Sequence, residues 1–186
     1  VYPEGLPYKL CTFSRVTKEK GIEDAVNAVR QVNEEMNKTV YTLDVYGQVD
    51  PGQSQWFDDL KASSPPYVNY CGVVNYDESV GVLKDYFALL FPTHYYTEGI
   101  PGTIIDAYAA GVPVIAAKWE SFADVIDDKQ TGFVYEFGNE CGLAKILHSV
   151  VSSPKLINEK KLNCIAKARL YLPENVINIL LNEINR

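Results

Sequence analysis

Four side chains in this sequence have the type and spacing that would handle a phosphorylated, hydroxyl-bearing ligand: Arg15, Lys20, Glu98 and Asp106. Arg15 and Lys20 lie five apart in Ser14-Arg-Val-Thr-Lys-Glu-Lys-Gly21, between a strand candidate and a helix. A guanidinium fork and a mobile ammonium together neutralise a diphosphate. Two solvated cations in a surface loop would look the same, and taken alone the pair reads that way first.

Glu98-Gly-Ile-Pro-Gly-Thr103 supplies the second half. Gly99 and Gly102 let a backbone approach a ligand closely. Ile100, Pro101 and Thr103 complete a helix start, where unpaired N–H groups and the positive dipole end favour an anion. Glu98 is placed to accept from a ligand hydroxyl, or else to cap that helix. Asp106 falls within the second helical turn, flanked by Ile104, Ile105, Ala107 and Ala109. A carboxylate among such neighbours suits a cleft, where it could accept from vicinal hydroxyls as on a ribose; the other reading is a solvated face. Neither G-x-G-x-x-G nor G-x-x-x-x-G-K-[ST] occurs, so a nicotinamide site and a phosphate loop are not supported.

The elements that must position these groups follow from periodicity. Tyr8–Ser14, Val40–Tyr46, Tyr67–Cys71, Phe87–Phe91, Val112–Ala117 and Gln130–Tyr135 read as six strands or strand-bearing runs. Phe87-Ala-Leu-Leu-Phe91 is continuously apolar, as in a strand buried on both faces. A helix from Ile22 carries Ala25, Val26, Val29 and Val32 at the helical period, and Gln53–Ala62 turns Trp56, Phe57 and Leu60 inward. Asp77–Asp85 reads as a helix with acids in its first turn, Thr103–Ala110 as one closed by Gly111, and Ser121–Asp127 as a short one. Gly142–Ser152 is amphipathic, and Pro154 opens a helix running to about Tyr171. From Pro173 a last helix places Val176, Ile177, Leu180, Leu181 and Ile184 on one side. Strands alternating with helices, without hairpin signals, predict a Rossmann-like α/β/α sandwich with a parallel six-stranded sheet covered on both faces.

At 186 residues the chain is expected to form one domain over 1–186. A net charge of −7 argues against nucleic acid as partner. No apolar run approaches the roughly 20 residues of a membrane span. Val1 and the lack of a leader-like start predict a segment of a longer protein. Cys11, Cys71, Cys141 and Cys164 show no C-x-x-C pair or metal-ligand spacing; Cys11 and Cys71 sit in apolar strands, and a reducing compartment is expected. No acidic pair has metal-ligand spacing either.

These segments resemble the C-terminal half of a retaining GT-B glycosyltransferase of the large group called family 4, over nearly the whole chain. Ser14–Ile22 is similar to GR-L-x-x-x-KG, and Leu43-Asp-Val-Tyr-Gly47 to that group's strand ending in Gly. Val68–Gly72 with Val73 and Val74 is similar to V-x-F-x-G. Pro92–Ala117 resembles P-S-x-x-E-G-x-P-x-x-x-x-E-A-x-A-x-G-x-P-V-I-A, and Thr131–Val134 the later T-G-x-L/V.

The resemblance implies that Arg15 and Lys20 hold the donor diphosphate and Glu98 sits at the donor sugar. It puts Asp106 at the ribose hydroxyls, Gly72 and Val73 beside the base, and the Gly99–Thr103 backbone around phosphate. Arg15, Lys20 and Glu98 would be the catalytic set, the donor a UDP-, GDP- or ADP-linked sugar, and the chemistry metal-independent with no cofactor. An N-terminal domain would bind the acceptor and supply the family's histidine, a position that neither His94 nor His148 occupies. Residues from about 173 to 186 would be the cross-over tail. The implied setting is cytoplasmic glycan, capsule or lipopolysaccharide synthesis, with peripheral contact at the inner membrane face through the missing half. This chain alone is expected to bind donor without turning it over.

Three departures stand out: Asp106 replaces Glu, Thr93 replaces Ser, and Lys118-Trp-Glu-Ser-Phe-Ala-Asp124 replaces Gly-Gly-x-x-Glu. Asp124 is left to cap the next helix. A non-catalytic α/β binding module and a GT-B nucleotide-sugar epimerase remain as alternatives.

Overall fold

A computed structural model describes residues 2–3 and 5–184, with the side chains at 178–180 and 182–184 outside the description. In chain order the elements are β1 (Tyr8–Phe13), α1 (Ile22–Glu35), β2 (Tyr41–Tyr46), α2 (Ser54–Ser63), β3 (Val68–Gly72) and α3 (Ser79–Leu83). There follow β4 (Ala88–Phe91), α4 (Gly102–Ala109), β5 (Val114–Ala117), α5 (Phe122–Val125) and β6 (Gly132–Tyr135). Four helices close the chain: α6 (Gly142–Ser152), α7 (Lys155–Asn158), α8 (Lys161–Ala168) and α9 (Pro173–Ile184).

The strands form one six-stranded sheet in the order β3-β2-β1-β4-β5-β6, and every pairing is parallel. Crossovers run one way from β1 to β3 and the other way from β4 to β6. The loops leaving β1 and β4 therefore diverge to opposite sides at the centre of the sheet, and such a reversal opens a crevice at the strand ends. Arg15 and Lys20 leave from β1, and Glu98 leaves from β4.

Two apolar layers hold the sheet. One joins Leu10, Leu43, Val45 and Leu90 to Ile22, Val26 and Val29 of α1 and Leu143 and Leu147 of α6. The other joins Cys11, Leu89, Val114 and Ala116 to Leu83, Ile104, Ala107 and Cys164. The helical spacing read for α1 is the face it buries, and the apolar run of β4 is buried at every position. Asn33 ties α1 to β2: its Oδ1 accepts from the Val40 and Tyr41 amides at 2.8 and 2.9 Å, and its Nδ2 donates to the Tyr41 carbonyl at 2.9 Å. Asn33→Ala orphans those three buried backbone groups and is expected to cost about 2 kcal/mol, read from the urea midpoint.

Five expectations are corrected. Coverage of the sheet is incomplete, because α3 is only five residues long and packs through Leu83 toward β4. The outer part of β2–β3 therefore carries polar groups: Asp44 accepts from Asn69 at 2.9 Å and from Tyr86 at 2.7 Å. Cys71 is accordingly exposed on the edge strand and not a buried hydrophobe. Asp77 and Glu78 precede α3 and do not form its first turn, since Asn75–Glu78 is a turn closed by the Glu78 amide on the Asn75 carbonyl. The helix read from Pro154 to Tyr171 is two helices and a 3₁₀ turn, broken at Glu159–Lys160, with Pro154 at the N-cap. Asp124 lies inside α5, which has no side-chain cap. On α9 the side chains of Leu180 and Ile184 are outside the described residues, as are residues 185 and 186; Val176, Ile177 and Leu181 are exposed. No helix among the described residues is long and apolar enough to cross a membrane.

Candidate functional site

The loop after β1 is stitched to the loop after β2 by Val16 N–H on the Gln48 carbonyl at 2.9 Å and Asp50 N–H on the Val16 carbonyl at 3.2 Å. Residues Lys18–Lys20 then make one 3₁₀ turn, and Gly21 turns left-handed (φ 67°) to start α1. A Cβ on Gly21 would lie 1.8 Å from the Pro92 carbonyl oxygen, so the β1 and β4 loops pack backbone against backbone. The His94 amide adds a 2.8 Å bond to the Glu19 carbonyl, and His94 Nε2 meets Asp24 Oδ2 at 2.7 Å. Gln53 closes the other side, and its amide holds the Glu19 carboxyl below the ordinary glutamate range. His94 is thus a brace between α1 and the β4 loop.

This packing delivers Lys20 to Glu98. Lys20 Nζ forms an ion pair with Glu98 Oε1, with both side chains about one-seventh exposed (15% and 14%). The ammonium also sits 5.7 Å from the Phe91 ring centroid and 5.3 Å from that of Tyr95. Thr93 Oγ1, buried, donates to the same carboxylate oxygen at 3.1 Å and accepts the Tyr95 amide at 3.0 Å. Glu98 is not a helix cap: the N-cap of α4 is Pro101, without a side-chain bond. Arg15 lies exposed on the same loop, and its guanidinium has no hydrogen bond or ion pair among the described residues.

Beyond Glu98 the backbone is open. The amides of Gly99, Ile100, Gly102 and Thr103 find no acceptor among the described residues, and a Cβ at Gly99 or Gly102 would meet nothing within 4 Å. Thr103 Oγ1 is buried without a partner among the described residues. Free amides at the start of an eight-residue helix form an anion-ready surface.

Asp106 follows on α4, half-buried, and Ser79 Oγ donates to its Oδ2 at 2.8 Å. Ser79 sits at the start of α3 and also reaches the Tyr76 carbonyl at 3.0 Å, which ties the loop after β3 to α4. Gly72 and Val73 open that loop at the outer strand, with Val73 68% exposed. The structure therefore brings Lys20, Thr93 and Glu98 into one cluster and joins Asp106 to Ser79. Arg15, Gly72 and Val73 stand on neighbouring loops at the same end of the sheet without touching that cluster. A concavity of about 620 Å³ lies at the opposite end of the strands around Lys9, Gly111 and Lys161 and contains none of these residues.

A family model described as glycosyl transferases group 1 matches residues 4–171. The chain belongs to this family. Among curated relatives, a glycogen synthase of Mycobacterium tuberculosis is 25% identical over 154 residues, which is 82% of this chain and 36% of the relative. The amylovoran biosynthesis glycosyltransferase AmsK of Erwinia amylovora is 24% identical over 145 residues, 76% of this chain and 35% of its own. The group 1 domain thus spans about a third of the length of these relatives. Among solved structures, Anabaena Alr3699/HepE in complex with UDP and glucose superposes with a TM-score of 0.81 at 19% identity, covering 95% of this chain and 47% of that one. The C-terminal domain of LpcC, a group 1 protein of Francisella tularensis, gives 0.75 at 19%, covering 91% and 94%. At such identity the structural likeness speaks for the fold, a mostly parallel Rossmann-like sheet with flanking helices as in GT-B glycosyltransferase domains.

Two site features of this group 1 domain were not read from its sequence. Ser79 meets Asp106 across 27 positions, and no local pattern announces it. Ser121 contacts the Glu98 carbonyl from a segment read for its missing glycines and a short helix, with no contact to the Glu98 loop expected. Thr93 was seen as a retained hydroxyl, and its burial gives that hydroxyl a partner.

Proposed function

We propose that this chain is the donor-binding, C-terminal half of a retaining family 4 GT-B glycosyltransferase, which moves a sugar from a nucleoside-diphosphate sugar to an acceptor held by an N-terminal domain. The observation that carries the reading is the convergence, at the β1/β4 reversal, of Lys20, Glu98 and the free amides of Gly99–Thr103. Membership of the group 1 family and the UDP named with the Anabaena neighbour support it.

In this reading the diphosphate lies over the start of α4, with Arg15 folding onto it and Lys20 shared between phosphate and Glu98. As the glycosidic bond breaks, negative charge grows on the terminal phosphate, and those cations and amides stabilise it more than they stabilise the intact donor. Glu98 faces the sugar. Asp106 accepts from the ribose with the oxygen Ser79 leaves available, and Gly72 and Val73 border the base. The leaving-group charge is met by side chains and a helix terminus, so the reading requires no metal or cofactor. The acceptor domain, a cytoplasmic site and contact with the inner membrane face through that domain belong to the same proposal, as does a role in glycan, capsule or lipopolysaccharide synthesis.

Calorimetry of the chain with UDP-, ADP- and GDP-linked sugars tests it. One base is expected to bind with a Kd in the micromolar range, unchanged by EDTA. A folded sample that binds none of them would make this a non-catalytic module.

A further inference from the structure

We propose that Ser121, oriented by the buried indole of Trp119, is the positioning residue that holds the Glu98 turn for recognition of the sugar half of the donor. The inference rests on the donor-site reading above and concerns a segment, Lys118–Asp124, whose sequence departs from the family pattern.

The stretch from Pro92 to Pro101 has no helix or strand of its own, so its shape depends on bonds to neighbours. Two of those come from one adjacent segment. The Glu120 amide donates to the Tyr96 carbonyl at 2.8 Å, and Ser121 Oγ donates to the Glu98 carbonyl at 3.0 Å. The carbonyls on either side of Thr97 are thereby clamped to the loop after β5. From the other side, Lys20 and Thr93 hold the Glu98 carboxylate. Glu98 is fixed through its backbone by the loop after β5, and through its side chain by Lys20 of the loop after β1 and Thr93 of its own loop.

The direction of the Ser121 hydroxyl is set by Trp119. Its indole Nε1–H lies 3.2 Å from Ser121 Oγ, and an indole N–H only donates. The hydroxyl must accept that proton on a lone pair, and its own proton goes to the Glu98 carbonyl. Trp119 has little freedom to move: it is 1% exposed and packs edge-on to Phe91, the last residue of β4, at 5.5 Å between centroids. The Phe91 ring also lies beneath Lys20. One buried aromatic pair thus supports both the cation and, through Ser121, the carboxylate's backbone. Where glycines would have left only main chain, this sequence has a side-chain clamp.

Base and ribose are assigned to residues the clamp does not touch, and most of the phosphate-binding amides lie beyond it on α4, so loosening it acts more on the sugar than on the nucleotide. The test compares free nucleotide with nucleotide sugar by calorimetry, using UDP with UDP-glucose, ADP with ADP-glucose and GDP with GDP-mannose. Hydrogen exchange of the ligand-free chain across residues 95–100 is measured alongside. Ser121→Ala is expected to weaken the nucleotide sugar about tenfold, change the free nucleotide less than twofold, and speed exchange at 97–99 about tenfold. Ser121→Thr restores both readouts, and Trp119→Phe, which keeps the ring and loses the N–H, falls between. Wild-type exchange rates in Ser121→Ala overturn the clamp, as does an equal loss for nucleotide and nucleotide sugar, which would mark a general structural role. If the wild type binds no nucleotide while exchange responds as expected, the donor reading and its sugar role fail but the clamp stands.

Discussion

Replacing Arg15 and Lys20 together by Ala lowers donor affinity at least about 100-fold in calorimetry. Hydrogen bonds to charged groups contribute about 1.5–3 kcal/mol each, and about 1.4 kcal/mol is a tenfold change in Kd, so two such losses reach that range. The two single variants separate the roles. Arg15 has no hydrogen bond or ion pair among the described residues, so Arg15→Ala costs affinity with no change in melting temperature. Lys20 is different because it neutralises a carboxylate that is only 14% exposed. Lys20→Ala leaves Glu98 with the Thr93 hydroxyl alone, so a stability loss on the order of 1 kcal/mol accompanies the loss of binding. Arg15→Lys keeps the charge and gives up the two-pronged geometry, and it retains part of the affinity. Raising salt weakens the wild type more than the double variant, because the missing term is electrostatic. Unchanged affinity in the double variant would remove the diphosphate from this end of the sheet.

The site was legible in the sequence to the extent that it is local. Glu98-Gly-Ile-Pro-Gly followed by Asp106 announces a loop entering a helix with carboxylates on it, and the apolar run before Pro92 announces the buried strand that aims it. Alternating strands and helices were enough to predict a parallel sheet. The meeting of Lys20 with Glu98 was not local, because it depends on β1 and β4 being neighbours, with the chain reversing between them. Family resemblance supplied that adjacency in advance, through the roles of its conserved positions. It could not supply Trp119: nothing in Lys118–Asp124 as a sequence says where that indole packs, and its burial comes from the apolar layer around Phe91 and Phe122. Nor could periodicity locate the break at Glu159–Lys160. Apolar spacing continues through it, while Ile157 before it joins the layer of α1 and α6 and Cys164 after it joins the layer of α4. Cys71 misled for a related reason, since a strand pattern does not say whether a helix covers it.

Gly21→Ala is expected to be the most destabilising single substitution at the site, costing on the order of 4 kcal/mol or preventing folding. Two terms add. The left-handed backbone (φ 67°) costs an L-residue about 1–2 kcal/mol. The new Cβ would stand 1.8 Å from the Pro92 carbonyl oxygen, a backbone atom that cannot turn aside without moving the loop after β4. That displacement carries Thr93 and Glu98 away from Lys20, so any folded fraction should lose donor binding as well. Gly99→Ala provides the contrast. Its Cβ meets nothing within 4 Å and its φ is not positive, so the urea midpoint should stay within about 0.5 kcal/mol of wild type. Yet a methyl group there stands in the space assigned to phosphate, and donor affinity should fall about tenfold. A glycine whose removal spares the fold but costs the ligand is one the ligand requires. If Gly99→Ala binds donor as the wild type does, phosphate does not approach that backbone. If Gly21→Ala is as stable as the wild type, the two switch-point loops do not pack as described, and the Lys20–Glu98 pair loses the contact that aligns it.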